Sequence, residues 1–228
     1  MLNNVHYGKI RSLTLAALVL LGTTPVPLRA YDARVEEIIS NPTVSYQKAF
    51  DVDATPEIWN RVLDNLYLMG RLWEIYRFQP AYQVTRTDSG LHVVDPTGII
   101  GDVRQVGRSD LSRCLYGRGK FSHWAVPSFF TADGVIMFEC TAEQNRITGK
   151  VKIFMLGNNW ISRVVMKLFS GTLIRHIDNR FIHNLEDTKK IIRDIADEPD
   201  KVRNGLTGPL RDDFNKAFPV MEIKPTEE

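Results

Sequence analysis

The apolar residues of this chain change their spacing at Leu156, from the alternation of β-strands to the spacing of a helix. Before that point, residues 81–156 are short alternating segments separated by turn residues. Helical spacing then continues through residues 159–169 and, for about seven turns, through residues 172–197, up to Pro199. Sequential strands followed by a long helix predict an α+β fold, with the helix on one face of an antiparallel sheet.

The last strands of this region have a pattern that predicts their register. A two-residue turn at Gln144-Asn145 places apolar residues opposite each other on one face and polar residues on the other. The apolar pairs are Phe138–Val151, Ile136–Ile153 and Ala142–Ile147, and the polar pairs are Glu139–Lys150, Thr141–Thr148 and Glu143–Arg146. A second predicted turn, at Ala132-Asp133-Gly134, pairs Phe130 with Ile136, Val126 with Cys140 and Trp124 with Ala142.

The first predicted strand leads directly into a helix. Residues 44–52 alternate as a half-buried strand does. Pro56 suits the first turn of a helix, and either Asp53 or Thr55 suits its N-cap. A second helical piece follows, and Gly70 is expected to mark a kink between the two pieces.

The first thirty residues have the order of a secretory signal peptide. Lys9 and Arg11 precede an apolar run of about ten residues, and Ala30 is a small residue at the expected cleavage site. Residues 1–30 are therefore predicted to be a signal peptide, and the mature chain to be periplasmic or secreted. An uncleaved anchor is the alternative, because Leu28 departs from the small-residue rule.

Composition limits the classes of partner. The net charge is +2, from 29 basic and 27 acidic residues that are interspersed, so nucleic acid is not an expected partner. The length and a hydrophobic content of 43% predict one domain, residues 31–199, followed by a loosely attached tail, residues 200–228. Cys114 and Cys140 are expected on two strands that a third strand separates. This placement argues against a disulfide, although an exported protein could form one.

Motifs for catalysis or cofactor binding are missing from the sequence. It contains no G-x-S-x-G and no glycine-rich loop that precedes a helix in phosphate-binding order. His176 and His183 are seven residues apart and have no acidic third ligand beside them. We therefore predict no catalytic residue, no metal ligand and no cofactor.

The order of elements resembles the helix-grip fold of the START-like (SRPBCC) superfamily. The residues that carry the resemblance are "FDVDATPEIWNRVLDN", "YGRGKF" and "LIRHIDNRFIHNLEDTKKIIRDI", and it covers about residues 44–197. The resemblance implies a curved antiparallel sheet wrapped around a long C-terminal helix, with an apolar cavity between them. Members carry lipids, sterols, polyketides or hormones, and some are enzymes, so the fold alone does not choose the function.

The apolar face of the predicted sheet and helix supplies the candidate ligand contacts. They are Lys48, Phe50, Trp73, Val126, Phe130, Phe138, Val151, Ile153, Ile177 and Phe181. The apolar members would serve equally well in a closed core. Lys48 either extends its ammonium to the sheet edge or is the counter-ion of an anionic ligand. Gly117, Gly119 and Gly149 indicate either bulges or room for a ligand.

Residues 159–169 allow two interpretations. Their apolar stripe either packs in the core or rests on a membrane surface, beside the place where a lid is expected. The residues that favour membrane contact are Trp160, Met166, Phe169, Arg163 and Lys167.

Together these features predict an exported START-like protein that binds or shuttles a lipid or another hydrophobic small molecule. Two alternatives stay open. One is a polyketide cyclase or dehydratase-like enzyme that uses the same pocket. The other is a protein-interaction module whose cavity has collapsed.

Overall fold

The computed structural model describes residues 32–80, 82–96, 98–121 and 130–219. The helices are α1 (Ala33–Ser40), α2 (Pro56–Asp64), α3 (Leu66–Ile75), α4 (Trp160–Leu168), α5 (Ser170–Asp197), α6 (Pro199–Asn204) and α7 (Gly208–Ala217). The strands are β1 (Val44–Asp53), β2 (Gln83–Thr87), β3 (Gly90–Val94), β4 (Ile99–Arg108), β5 (Arg113–Phe121), β6 (Thr131–Glu143) and β7 (Arg146–Gly157). The predicted signal peptide, Trp124 and Val126 lie outside the described residues.

The strands form one sheet in the order β1-β7-β6-β5-β4-β3-β2, and every neighbouring pair is antiparallel. The long helix α5 packs against β1 on one face of this sheet. The architecture is therefore α+β and of the helix-grip type, as predicted. We call the face that α5 covers the inner face.

Helix α1 covers part of the other face, which we call the outer face. Val35 and Ile38 of α1 are fully buried against Cys114, Val135 and Leu156 of three neighbouring strands. The sheet therefore has a second, smaller apolar cluster where the sequence predicted a polar face. Helix α1 begins after its N-cap Asp32 and ends at Ser40, just before β1 begins at Val44, so the chain reaches both faces within one short segment.

The predicted register of the β6–β7 hairpin is confirmed. Phe138 lies opposite Val151, and on the outer face Thr141 lies opposite Thr148 with their hydroxyls 3.1 Å apart. Glu139 lies opposite Lys150 as predicted, although its carboxylate pairs at 2.7 Å with the ammonium of the next outward lysine on β7. Alternation alone was sufficient here, because a slip by one residue would exchange the two faces.

The second predicted turn is wrong. Strand β6 continues through residues 132–134, and Ile136 lies opposite Leu115 of β5 rather than Phe130. The pair Asp133-Gly134 does not form a turn, because the Asp133 side chain is fully buried on the outer face and bonded to other elements. Asp-Gly is a strong turn signal only where the aspartate side chain forms hydrogen bonds with groups close to it in the chain.

Cys114 and Cys140 are not joined by a disulfide, and their predicted placement was partly wrong. Cys114 and Cys140 lie on the adjacent strands β5 and β6 rather than on strands separated by a third. Cys114 contributes to the outer apolar cluster, whereas Cys140 packs on the inner face. Opposite faces of the sheet keep the two thiols apart.

The helices after β1 begin as predicted but break elsewhere. The Thr55 hydroxyl accepts a hydrogen bond from the Ile58 amide at 3.2 Å and caps α2. The break between α2 and α3 is at Asn65 and not at Gly70. A Cβ atom at Gly70 would lie 2.5 Å from Val84, so this glycine allows α3 to approach β2.

The residues after α5 are not a loosely attached tail as far as residue 218. Helices α6 and α7 bury Val202, Leu206, Phe214 and Phe218 in the main core. They pack against α5 and α3, whose outward apolar residues would otherwise be solvated. The sequence pattern did not reveal this, because each of these helices is short and has few apolar residues.

Candidate ligand-binding site

Two ion pairs hold the first half of α5 from opposite sides. The Asp178 carboxylate accepts hydrogen bonds from the Tyr46 hydroxyl at 2.7 Å and from the Lys48 ammonium at 2.6 Å, both on β1. Two residues further along the helix, the Arg180 guanidinium donates to both carboxylate oxygens of Asp95 at 2.6 and 2.8 Å. Asp95 follows β3 directly.

The positions of these pairs require a strongly curved sheet. Strands β1 and β3 are separated by four strands, β7, β6, β5 and β4. At about 4.8 Å per strand, a flat sheet would place them about 24 Å apart. A helix with its side chains is only about 10–12 Å wide, so one turn of α5 reaches both only if the sheet wraps around it.

One end of the inner face is filled by aromatic side chains, and we call it the packed end. The Phe50 ring contacts the rings of Trp59, Phe138 and Phe181 at centroid distances of 5.8, 6.3 and 5.9 Å. A Cβ atom at Gly149 would lie 2.8 Å from the Cys140 sulfur and 3.0 Å from the Phe50 ring. Glycine is needed here because there is no space for a side chain.

The other end of the inner face has almost no side chains, and we call it the bare end. Its residues, on three adjacent strands, are Gly101, Gly117, Gly119, Ala132 and Gly134. Gly117 lies directly opposite Gly134. Among the described residues, a Cβ atom would meet no heavy atom closer than 3.5 Å at Gly117 or 3.6 Å at Gly134, and neither residue has a left-handed φ. Neither packing nor backbone conformation therefore requires glycine at these two positions.

Gly101 and Gly119 differ from that pair. A Cβ atom at Gly101 would lie 2.7 Å from a backbone oxygen of β5, and one at Gly119 would lie 3.1 Å from a backbone oxygen of β4. These two glycines allow strands β4 and β5 to bend towards each other. The bare end thus combines glycines that curve the sheet with glycines that leave space.

The first half of α5 lies over the bare end. Helix α5 begins directly after α4, which packs on β7. The last residue of β7 lies opposite Ala132 of the bare end. The far end of α5 packs on α2. Ile191 and Ile192 in the second half of α5 are fully buried, whereas Ile174 and Ile177 in the first half are not. Half-buried apolar residues also surround the bare end on the sheet, namely Leu91, Val93, Val103, Ile136, Ile153 and Met155. Apolar side chains of the sheet and of α5 therefore face this region and remain partly exposed.

The predicted contact residues fall into three groups. Those at the packed end are Phe50, Phe138, Val151 and Phe181, and those towards the bare end are Ile153 and Ile177. Phe130 is half-buried immediately before β6, and Val126 lies outside the described residues. Lys48 is on the inner face as predicted, and its ammonium is paired with Asp178.

Trp73 lies in a polar cluster that sequence reasoning did not find. Its ring packs on that of Tyr82 at 5.2 Å, and the Arg180 guanidinium lies 5.5 Å from the same tyrosine ring. The Tyr82 hydroxyl accepts a hydrogen bond from the Asn184 amide at 3.0 Å. The Trp73 indole nitrogen is buried and has no hydrogen-bond partner within the described part of the chain. The sequence gave no sign of the ion pair between Asp95 and Arg180, because the two residues are 85 positions apart in the chain.

On the outer face, Asp133 joins four elements. Its carboxylate accepts hydrogen bonds from Arg34 of α1 at 2.7 Å, Arg118 of β5 at 2.9 Å and Asn158 after β7 at 3.0 Å. Burial raises the pKa of Asp133, but these hydrogen bonds outweigh it, so its pKa lies below the usual value. Asp133 is next to Gly134 in β6 and therefore lies directly behind the bare end.

A groove of about 590 Å³ lies beside this network. Its lining residues are Arg34, His92, Ile100, Gly101, Asp102, Arg118, Gly119, Lys120, Thr131 and Asn158. The groove is on the outer face, so it is not the cavity predicted between the sheet and α5. Three of its lining residues, Arg34, Arg118 and Asn158, donate hydrogen bonds to the buried Asp133 carboxylate.

The described residues contain no group of three or more histidine, cysteine, aspartate or glutamate side chains that would hold a metal ion. His176 and His183 are exposed on α5. The Nδ1 atom of His92 lies 2.8 Å from the exposed Asp102 carboxylate. Burial raises the pKa of the Cys140 thiol to about 12, which makes it a poor nucleophile.

No family model and no curated protein matches the sequence. A conserved protein from Geobacillus kaustophilus matches in structure with 8% identity over 67% of this chain and 97% of that chain, at a TM-score of 0.47. A hypothetical protein from Helicobacter pylori matches with 12% identity over 67% and 90% of the two chains, at 0.46. Ara h 8.0201 matches with 8% identity over 60% and 97%, at 0.33. These TM-scores are below 0.5, so we base no functional argument on them.

Proposed function

We propose that this protein binds a hydrophobic small molecule or lipid at the bare end, between the sheet and the first half of α5, and carries it outside the cytoplasm. The observation that carries the proposal is the pair Gly117 and Gly134. At these two positions the inner face lacks side chains, although neither φ nor packing against the described part of the chain requires glycine. Half-buried apolar residues surround the same place, which is the composition of small-molecule sites.

The charges around the site favour an uncharged ligand. Lys48 is paired with Asp178 and Arg180 is paired with Asp95, so both cations already have a carboxylate partner. An anionic group would have to compete with a carboxylate that is in place. An uncharged ligand would need no counter-ion.

Filling the bare end tests the proposal. The double substitution Gly117→Val, Gly134→Val should lower the affinity for the neutral probe N-phenyl-1-naphthylamine at least tenfold, without loss of thermal stability. The matched control Gly205→Val adds a side chain far from the site and should bind the probe like the wild type. Lys48→Met should also bind it like the wild type. Equal binding by the filled variant, or no binding by the wild type, would refute the site.

Two further measurements address the natural ligand and the location. Mass spectrometry of an organic extract of the natively purified protein should reveal a hydrophobic molecule that is missing from the extract of the filled variant. A fusion of residues 1–35 to a reporter that is active only after export should be active. Activity of the matching cytosolic reporter would contradict the proposed location.

A further inference from the structure

The junction of α4 and α5 exposes large apolar side chains to solvent. Trp160, Val164, Leu168 and Phe169 are 73%, 46%, 75% and 62% exposed. The first three are spaced by four residues, so they form one continuous stripe along α4. We call these four residues the docking surface.

The fold does not need the docking surface for its own packing. Helix α4 contacts β7 through the opposite side, where Ser162 and Met166 are almost completely buried. The Asn159 side chain caps the helix by accepting a hydrogen bond from the Ser162 amide at 2.8 Å. Met166, one of the residues predicted to favour membrane contact, is thus a core residue, while Trp160 and Phe169 point outwards.

The charged side chains of α4 and of the first two turns of α5 all have one sign. Between Gln144 and Ile177 the sequence contains no aspartate and no glutamate, although the whole chain has 29 basic and 27 acidic residues. Arg163 and Lys167 of α4 are both exposed beside the stripe, and Arg175 follows on α5. An exposed apolar stripe with aromatic residues and flanking cations is typical of helices that lie in a membrane interface.

We infer that the docking surface binds an anionic lipid bilayer, with α4 lying in the interface and its cations facing the lipid headgroups. The charge complementarity selects this partner over an uncharged one, since lysine and arginine near an anionic surface strengthen binding and zwitterionic lipid provides no such attraction. No helix within the described ranges is long and apolar enough to cross a membrane. The inference is independent of any ligand at the bare end.

An environment-sensitive fluorophore on Leu168→Cys, in the full chain, tests the inference. The native thiols react slowly, because Cys114 is buried and burial raises the pKa of Cys140 to about 12. The matched control carries the same label on Arg193→Cys, an exposed position on the second half of α5. Vesicles of phosphatidylcholine with 30% phosphatidylglycerol should blue-shift the label at position 168 and leave the label at 193 unchanged. Pure phosphatidylcholine should give at least a fivefold weaker response.

Unlabelled variants separate the apolar and the charged contributions. Trp160→Ser and Lys167→Glu should each lower the fraction that floats with anionic vesicles at least threefold. The controls Ile75→Ser and Lys216→Glu change an exposed apolar residue and an exposed lysine elsewhere and should float like the wild type. All variants contain the same residues 1–31, so a difference between them does not come from the N-terminal apolar run.

Three results would overturn the inference. One is an equal response of the labels at positions 168 and 193. Another is a label at 168 that is already blue-shifted without vesicles, which would mean that a segment of the chain covers the surface. The third is a dimer in solution that Trp160→Ser converts to monomer while vesicles have no effect on the wild type, because the surface would then be an interface between copies of this chain.

Discussion

The two ends of the inner face contain glycines for opposite reasons. At the packed end, Gly149 is required because a single carbon atom would collide with Cys140 and Phe50. At the bare end, Gly117 and Gly134 lie in positions that would accept a side chain without a collision. The same residue type on the same face thus marks tight packing in one place and open space in the other. Only the neighbours on adjacent strands distinguish the two.

The bare end must be stabilised in another way, and the outer face provides it. Asp133 binds Arg34, Arg118 and Asn158 directly behind Gly134, and so connects α1, β5, β6 and the loop after β7. The packed end is instead stabilised by side chains on the inner face. A sheet can therefore leave part of one face without side chains when polar side chains cross-link its other face.

The largest effect should come from removing the aromatic filling of the packed end. Phe50→Ala should lower the free energy of unfolding by about 3–5 kcal/mol, because its ring contacts three others. Val103→Ala at the bare end should lower it by about 1 kcal/mol, because this side chain is only half-buried. Urea unfolding followed by circular dichroism measures both. Equal losses would mean that the two ends are equally well packed.

The next effect tests the outer support of the bare end. Asp133→Asn should destabilise the protein by about 3 kcal/mol, because it removes the charge of a fully buried carboxylate that pairs with both Arg34 and Arg118. The control Asp102→Asn changes an exposed carboxylate on the same face and should change stability by less than about 0.5 kcal/mol. Thermal unfolding compares the two variants. A stable Asp133→Asn protein would show that the bare end needs no such cross-link.

Alanine at the two kinds of glycine should change stability in opposite directions. Gly149→Ala should destabilise the protein by about 1–3 kcal/mol through overpacking. Gly117→Ala should stabilise it by about 0.5–1 kcal/mol, because alanine loses less conformational entropy on folding and meets no collision. Chemical unfolding of both variants in parallel gives the signs. If Gly117→Ala were destabilising, the space at the bare end would not exist.

The smallest effect concerns mild acid. Because the pKa of Asp133 is lowered in the folded state, its contribution to stability is present above its unfolded pKa of about 4 and is lost as the pH falls further. Wild-type stability should therefore decrease more steeply than that of Asp133→Asn between pH 4.5 and 3. Melting temperatures at several pH values measure the two slopes. Parallel slopes would contradict the assignment of Asp133 as an ionised support.

Short-range pattern was enough to predict much of the fold. The register of β6 and β7, the Thr55 cap and the extent of α5 follow from alternation, capping chemistry and helical spacing, which act within a few residues. The strand candidates Lys48, Phe50, Phe138, Val151 and Ile153 are also on the inner face, since a strand's alternation assigns its residues to faces. For the same reason the sequence identified Gly117 as a side-chain-free position, without showing whether packing required it.

Tertiary structure alone decided how those positions are used. Asp133-Gly134 has the sequence of a turn, but Arg34 and Asn158, 99 and 25 residues away from Asp133, hold its carboxylate inside a strand. The pairing of Asp95 with Arg180, the burial of α6 and α7 and the exposure of α4 likewise depend on distant partners. Their energies come from contacts between segments far apart in the chain, and a local pattern carries no record of which distant groups will meet.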